Sequence, residues 1–167
     1  MLNGTVSDAR LTLLVSGSYS PTRFLITCVR DARPVPFALH GTDVRLYVEH
    51  EVDASGEKLH TASYRYVLQS DDTRNSWLVR WEYLRERPPG YLYSLGHVHV
   101  RAGFAEPGGG DMAAKALERL HLPTARVAFE LVIRHLIAER GVQAKTGDWD
   151  EIIEDSLAGF EERRTAP

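Results

Sequence analysis

Between residues 11 and 101 apolar and polar side chains alternate with a period of two, and turn residues break that alternation into short runs. A chain patterned this way commits most of its length to β-strands with one buried face. Six strands are predicted, at 11–15, 23–30, 44–52, 61–69, 77–84 and 97–101. The connections carry turn chemistry: Ser16-Gly17, Ala54-Ser55-Gly56, and Asp71-Asp72-Thr73-Arg74-Asn75. Such short links exclude helical crossovers, so neighbouring strands are expected to be antiparallel hairpins.

In the fourth strand Ala62, Tyr64, Tyr66 and Leu68 share one face, and Ser63, Arg65, Val67 and Gln69 the other. In the fifth, Trp77, Val79, Trp81 and Tyr83 oppose Leu78, Arg80, Glu82 and Leu84. The aromatic faces read as sheet packing. Cys28, the single cysteine, sits in the apolar run Phe24-Leu25-Ile26-Thr27-Cys28-Val29 and reads as a buried strand thiol, not a nucleophile.

After residue 103 the period changes. Residues 104–111, with Gly108-Gly109-Gly110, form a loop that lacks the spacing of a phosphate cradle. A short helix at 112–119 with Asp111 as its cap is expected next. The main helix is placed at 125–140, capped by Thr124, stopped by Gly141, with the stripe Phe129, Val132, Ile133, Leu136 and Ile137. Arg126, Glu130 and Arg134 fall on another face of it, and His135 at the stripe's edge. A second helix starts at the capping box Asp148/Glu151 and runs to 163, with Trp149, Ile152, Ile153, Leu157 and Phe160 as its core face. The expectation is one α+β domain over 1–167, β-rich at 11–103 and helical at 112–164.

A chain of 167 residues, 43% hydrophobic and 26% charged, is long enough to bury a core without staples. Its net charge of −3 argues against non-specific coating of nucleic acid. The N-terminus lacks the pattern of a secretory signal and no run approaches a membrane span, so a cytoplasmic location and no membrane contact are expected. Nucleophile elbows, zincin helices, cysteine pairs and dinucleotide fingerprints are missing.

The chemistry-bearing segment is Gly96-His97-Val98-His99-Val100-Arg101, whose alternation sets His97, His99 and Arg101 on one face. An imidazole takes up or gives a proton near neutral pH, and a guanidinium holds an anion. Cleavage of an RNA phosphodiester needs such a set. His97 and His99 are therefore the candidate acid and base, with Arg65, Arg80 and Arg101 as candidate phosphate holders; Glu82 belongs to the same polar face if the strands are neighbours. His121, ahead of Leu122-Pro123-Thr124 at the expected helix entrance, is a further anion-binding candidate.

The rival chemistry is a metal shared by His97 and His99. No third ligand is local: the next carboxylate, Glu106, is seven residues beyond His99, and only His60, His121 or Glu82 could complete a set through space. The expectation adopted is a metal-independent site without cofactor.

The runs Tyr64-Arg65-Tyr66, Leu78-Val79-Arg80-Trp81-Glu82 and His97-Val98-His99-Val100, over residues 60–102, resemble small bacterial proteins grouped with the TumE-type toxins of toxin-antitoxin systems. The long N-terminal β-region and the Leu-Pro-Thr unit depart from that pattern. The resemblance implies a cytoplasmic protein encoded beside a neutralising partner protein and acting on RNA, with roles for Arg65, Arg80, His97 and His99. The alternative is a non-enzymatic module that binds a protein or forms a homodimer through Trp77, Trp81, Tyr83 or Tyr91.

Overall fold

The structure, a computed structural model, describes residues 2–15, 21–56, 59–101 and 120–165. The expected turn at Ser16-Gly17, the loop 104–111 with Glu106, the helix 112–119 and the Phe160 side chain lie outside the described residues.

The fold is α+β. A short helix α1 (Leu2–Thr5) precedes strands β1 (Leu11–Val15), β2 (Arg23–Arg30), β3 (Arg33–Pro34), β4 (Phe37–Ala38), β5 (Arg45–Asp53), β6 (His60–Gln69), β7 (Trp77–Leu84), β8 (Gly96–Val100) and β9 (Leu122–Thr124). Helices α2 (Phe129–Arg140) and α3 (Trp149–Thr165) follow. The nine strands among the described residues join one antiparallel sheet of order β1-β2-β5-β6-β7-β8-β9, with β3 on β2 and β4 on β5. The three strands beyond the expected six are two or three residues long. Runs so short carry no periodicity.

One face of the sheet builds the core. Leu46, Val48, Tyr64, Tyr66, Leu68, Val79 and Trp81 pack against Val132, Ile133 and Leu136 of α2, with Ile153 of α3 and Leu2 and Val6 near α1. Tyr64 and Tyr66 stack at 4.4 Å, and Phe129 tilts onto Tyr66 at 5.0 Å. Arg134 bonds Asp150 and Glu154 and so ties α2 to α3. Cys28 is half-buried at the core's margin, where burial raises its thiol pKa.

Three local expectations need correction. The first concerns the pleat: the β6–β7 register pairs Leu68 with Val79 but Gln69 with Trp77, so Leu78 is an extra residue. That bulge reverses the phase of the strand start. Trp77 therefore stands with Arg80 and Gln69 on the polar face, not with Trp81. A second bulge, between Glu51 and Val52, makes Ala62 the extra residue and turns Thr61 inward beside His50.

The third correction concerns α2, which begins at Phe129 with Ala128 as its N-cap residue. Thr124 is the last residue of β9 and not a cap, because Leu122-Pro123-Thr124 pairs with β8. Pro123 is tolerated there since β9 forms the sheet's edge. Residues 125–128 then run to the helix, held by the Val127 N–H, which donates to the buried Tyr64 hydroxyl at 2.7 Å. Gly141, at φ 70°, ends α2 in the left-handed conformation as expected.

Candidate functional site

The face opposite the helices carries two rows of side chains across consecutive strands. Register aligns Glu49 with Arg65, Arg65 with Glu82, and Glu82 with His97. The neighbouring row aligns Tyr47, Val67, Arg80 and His99. Residues directly opposite on a pleated face are in reach of one another, so alternation in four separate strands becomes one polar cluster.

Glu82 is the hub. The Arg65 Nε–H donates to its Oε1 at 2.7 Å, and Arg65 also reaches Glu49 at 3.5 Å. Its Oε2 has Arg80 Nε at 3.5 Å, His97 Nε2 at 3.4 Å and His99 Nε2 at 3.3 Å. Burial works to raise the Glu82 carboxyl, but the Arg65 hydrogen bond and the charges of Arg80 and Arg65 outweigh it, so its pKa lies below the usual carboxylate range. For His99 burial is the largest influence and, with the charge of Arg80, lowers the imidazole.

Both histidines are 3% exposed. The connection between β7 and β8 turns back over them: Tyr91 lies 6.4 Å from the His97 ring, and Tyr93 stacks on His121 at 3.6 Å with the rings 3° from parallel. His97 Nδ1 lies 3.0 Å from the Ser94 carbonyl, an acceptor only, so that nitrogen carries the hydrogen. Neither ring nitrogen of His99 has a hydrogen-bond partner among the described residues.

His121 joins the cluster by a route the sequence reading did not foresee. The α2 N-terminus, expected beside it, is eight residues downstream at Phe129, so a helix dipole does not act on His121. Instead β9 pairs with β8, and carrying the Val98–Leu122 register one residue further sets His121 opposite His99. The two rings lie 4.3 Å apart, and His97 lies 4.8 Å from His121. Ligand nitrogens of all three histidines fall within 4.8 Å of one another.

A cavity of about 710 Å³ opens over this cluster, with Arg65, Arg80, Glu82, Tyr91, Tyr93 and the three histidines in its lining. Arg101 is not brought in. It follows β8, donates to the Asn75 carbonyl and lies 6.0 Å from the Trp77 ring, on the far side of Arg80. His60 lines a different cavity. Tyr91 and Tyr93 were missed as site residues; their signal was a Tyr-x-Tyr pair directly ahead of the histidine strand. No helix among the described residues is long and apolar enough to cross a membrane.

No protein-family model, curated protein or solved structure matches this chain.

Proposed function

We propose that the protein is a hydrolytic enzyme of phosphodiester bonds, with RNA as its substrate and the His97–His99–His121–Glu82 cluster as its active site. The observation that supports this reading is convergence: three imidazoles, the Glu82 carboxylate and two guanidiniums meet in one open cavity on the face opposite the helices. Attack of the 2′-oxygen on phosphorus forms one P–O bond and breaks the bond to the 5′-oxygen. The 2′-hydroxyl proton leaves to the cluster and a proton is returned to the 5′-oxygen, giving a cyclic phosphate and a free 5′-hydroxyl; water then forms a bond to phosphorus, the bond to the 2′-oxygen breaks and that oxygen regains a proton, which completes the hydrolysis. Imidazoles manage that traffic directly; a metal ion held by them would instead supply an activated water for it. Arg80 and Arg65, held beside Glu82, neutralise charge developing on the phosphate.

The test is cleavage of a single-stranded RNA by the wild type, His97→Ala and His99→Ala, with and without EDTA. Cleavage is expected from the wild type and a loss of at least about a hundredfold in each variant. Cleavage that is undetectable, or unchanged in both variants, overturns the reading. In the toxin-like form of this proposal, a neutralising partner protein covers the cavity.

The second reading is an interaction module, and one observation favours it. Leu13 and Val15 of the edge strand β1 are 59% and 69% exposed, which suits pairing with another protein or a second copy in a homodimer. Of the aromatic residues expected to form that surface, Trp81 is in the core and Tyr83 packs against it, whereas Trp77 lies beside Arg80 at 5.2 Å on the opposite face and Tyr91 lines the cavity.

A further inference from the structure

We infer that His97, His99, His121 and Glu82 form a binding site for one divalent late first-row metal ion of the Zn²⁺ class. As a catalytic centre this rests on the hydrolytic reading above; as a binding site it stands on the geometry alone.

The first argument is the direction of the lone pairs. With its Nδ1–H given to the Ser94 carbonyl, neutral His97 presents the Nε2 lone pair, and that atom lies 3.4 Å from Glu82 Oε2. His99 Nε2 lies 3.3 Å from the same oxygen without forming a hydrogen bond to it. The Nε2 lone pair of His97 and the Nε2 atom of His99 are thus gathered within 3.4 Å of Glu82 Oε2. A buried imidazole with both nitrogens unsatisfied is costly in an ordinary core. Ligation to a cation makes the same arrangement favourable.

The second argument is length. Bonds of about 2.0–2.1 Å from a tetrahedral ion to nitrogen and oxygen set the ligand atoms about 3.3 Å apart. The two edges from Glu82 Oε2 to the histidine nitrogens measure 3.4 and 3.3 Å. The His121 ligand nitrogen lies within 4.8 Å of those of His97 and His99 and moves inward to share the same ion. His121 stands at the edge of the sheet, ahead of a three-residue strand.

The third argument is the surroundings. Ligating histidines usually donate their other N–H to a carbonyl or carboxylate, as His97 does to Ser94. Arg65 occupies Oε1 of Glu82 and leaves Oε2 turned to the histidines. Tyr93 stacks on His121 and fixes its ring plane. Three imidazoles with one carboxylate select Zn²⁺, Ni²⁺ or Fe²⁺ over Mg²⁺ and Ca²⁺, which prefer oxygen alone. With a water as fifth ligand, such an ion would lower the pKa of that water to near neutral and so supply the base for phosphodiester attack.

The test is a titration of the EDTA-dialysed full chain with CoCl₂, read by visible absorption, and with ZnCl₂, read by calorimetry. One ion per chain is expected, with the intense bands of a four- or five-coordinate Co²⁺. His99→Gln and His121→Gln should each weaken binding by about tenfold or more, and His60→Gln should not. His121→Gln, at the sheet edge, carries the comparison if His99→Gln fails to fold by circular dichroism. A wild type that leaves Co²⁺ with its weak six-coordinate spectrum, or binding that neither variant changes, overturns the inference. Tight Co²⁺ binding without RNA cleavage upholds the metal site and removes the nuclease reading. EDTA-resistant cleavage by a chain that does not bind Co²⁺ does the reverse.

Discussion

His50, on the core side of β5, reaches the Tyr66 hydroxyl through Nδ1 at 2.8 Å and Thr61 Oγ1 through Nε2 at 3.0 Å. A neutral ring serves both, one nitrogen donating and the other accepting. Burial first, and then the charge of Arg126, lowers its pKa from 6.5 to about 4. The unfolded chain therefore binds the proton more readily than the folded one. Stability from this group is fully present above about pH 6.5 and is lost as pH falls from there toward about 4. Urea unfolding at about pH 7 and about pH 5 should differ by about 2 kcal/mol from this residue alone, and His50→Gln should remove that part of the difference. An equal pH dependence in both proteins would contradict it. The same inward turn of Thr61 that creates this network escaped the alternation rule, because a one-residue bulge changes which side chains face the core without altering composition.

Among the elements, β9 decides whether the cluster is complete, and Gly96 decides whether β9 can lie where it does. A Cβ on Gly96 would come within 2.9 Å of the Thr124 and Ala125 carbonyl oxygens, which are backbone atoms that cannot swing aside. Gly96→Ala should therefore push β9 off β8, cost about 1–3 kcal/mol and carry His121 away from His99. Thermal melting together with the Zn²⁺ titration checks both parts; an alanine variant with unchanged stability and affinity would contradict this view of β9.

The polar faces of the histidine, arginine and glutamate strands were readable in advance because each alternates cleanly through its site residues; their juxtaposition, conditional in the sequence, follows from β5, β6, β7 and β8 being sequential neighbours in the sheet. β9 was not readable in that way. It has three residues, contains proline, and is separated in sequence from β8 by residues 101–121, so its pairing is a long-range fact with no periodic trace. Leu-Pro-Thr was read as a helix entrance, and the helix began only at Phe129.

At the scale of the molecule, the sheet divides labour between its two faces. One face is spent on Tyr64, Tyr66, Trp81 and the helices, and the fold rests on it. The other holds Glu49, Arg65, Glu82 and His97 in a single cross-strand row, with Arg80 and His99 beside it. A net charge of −3 gives no long-range attraction for a polyanion, so under the proposed function recognition of a phosphodiester would fall to the cavity itself, to Arg80, Arg65 and the proposed cation. The metal thus becomes the central claim. Crystals grown with ZnCl₂ and measured at the zinc absorption edge test it most directly. The account expects one anomalous peak within about 2.0–2.2 Å of His97 Nε2, His99 Nε2 and Glu82 Oε2, with His121 turned toward it. A peak elsewhere, or no peak at all in a fully formed cavity, would contradict it.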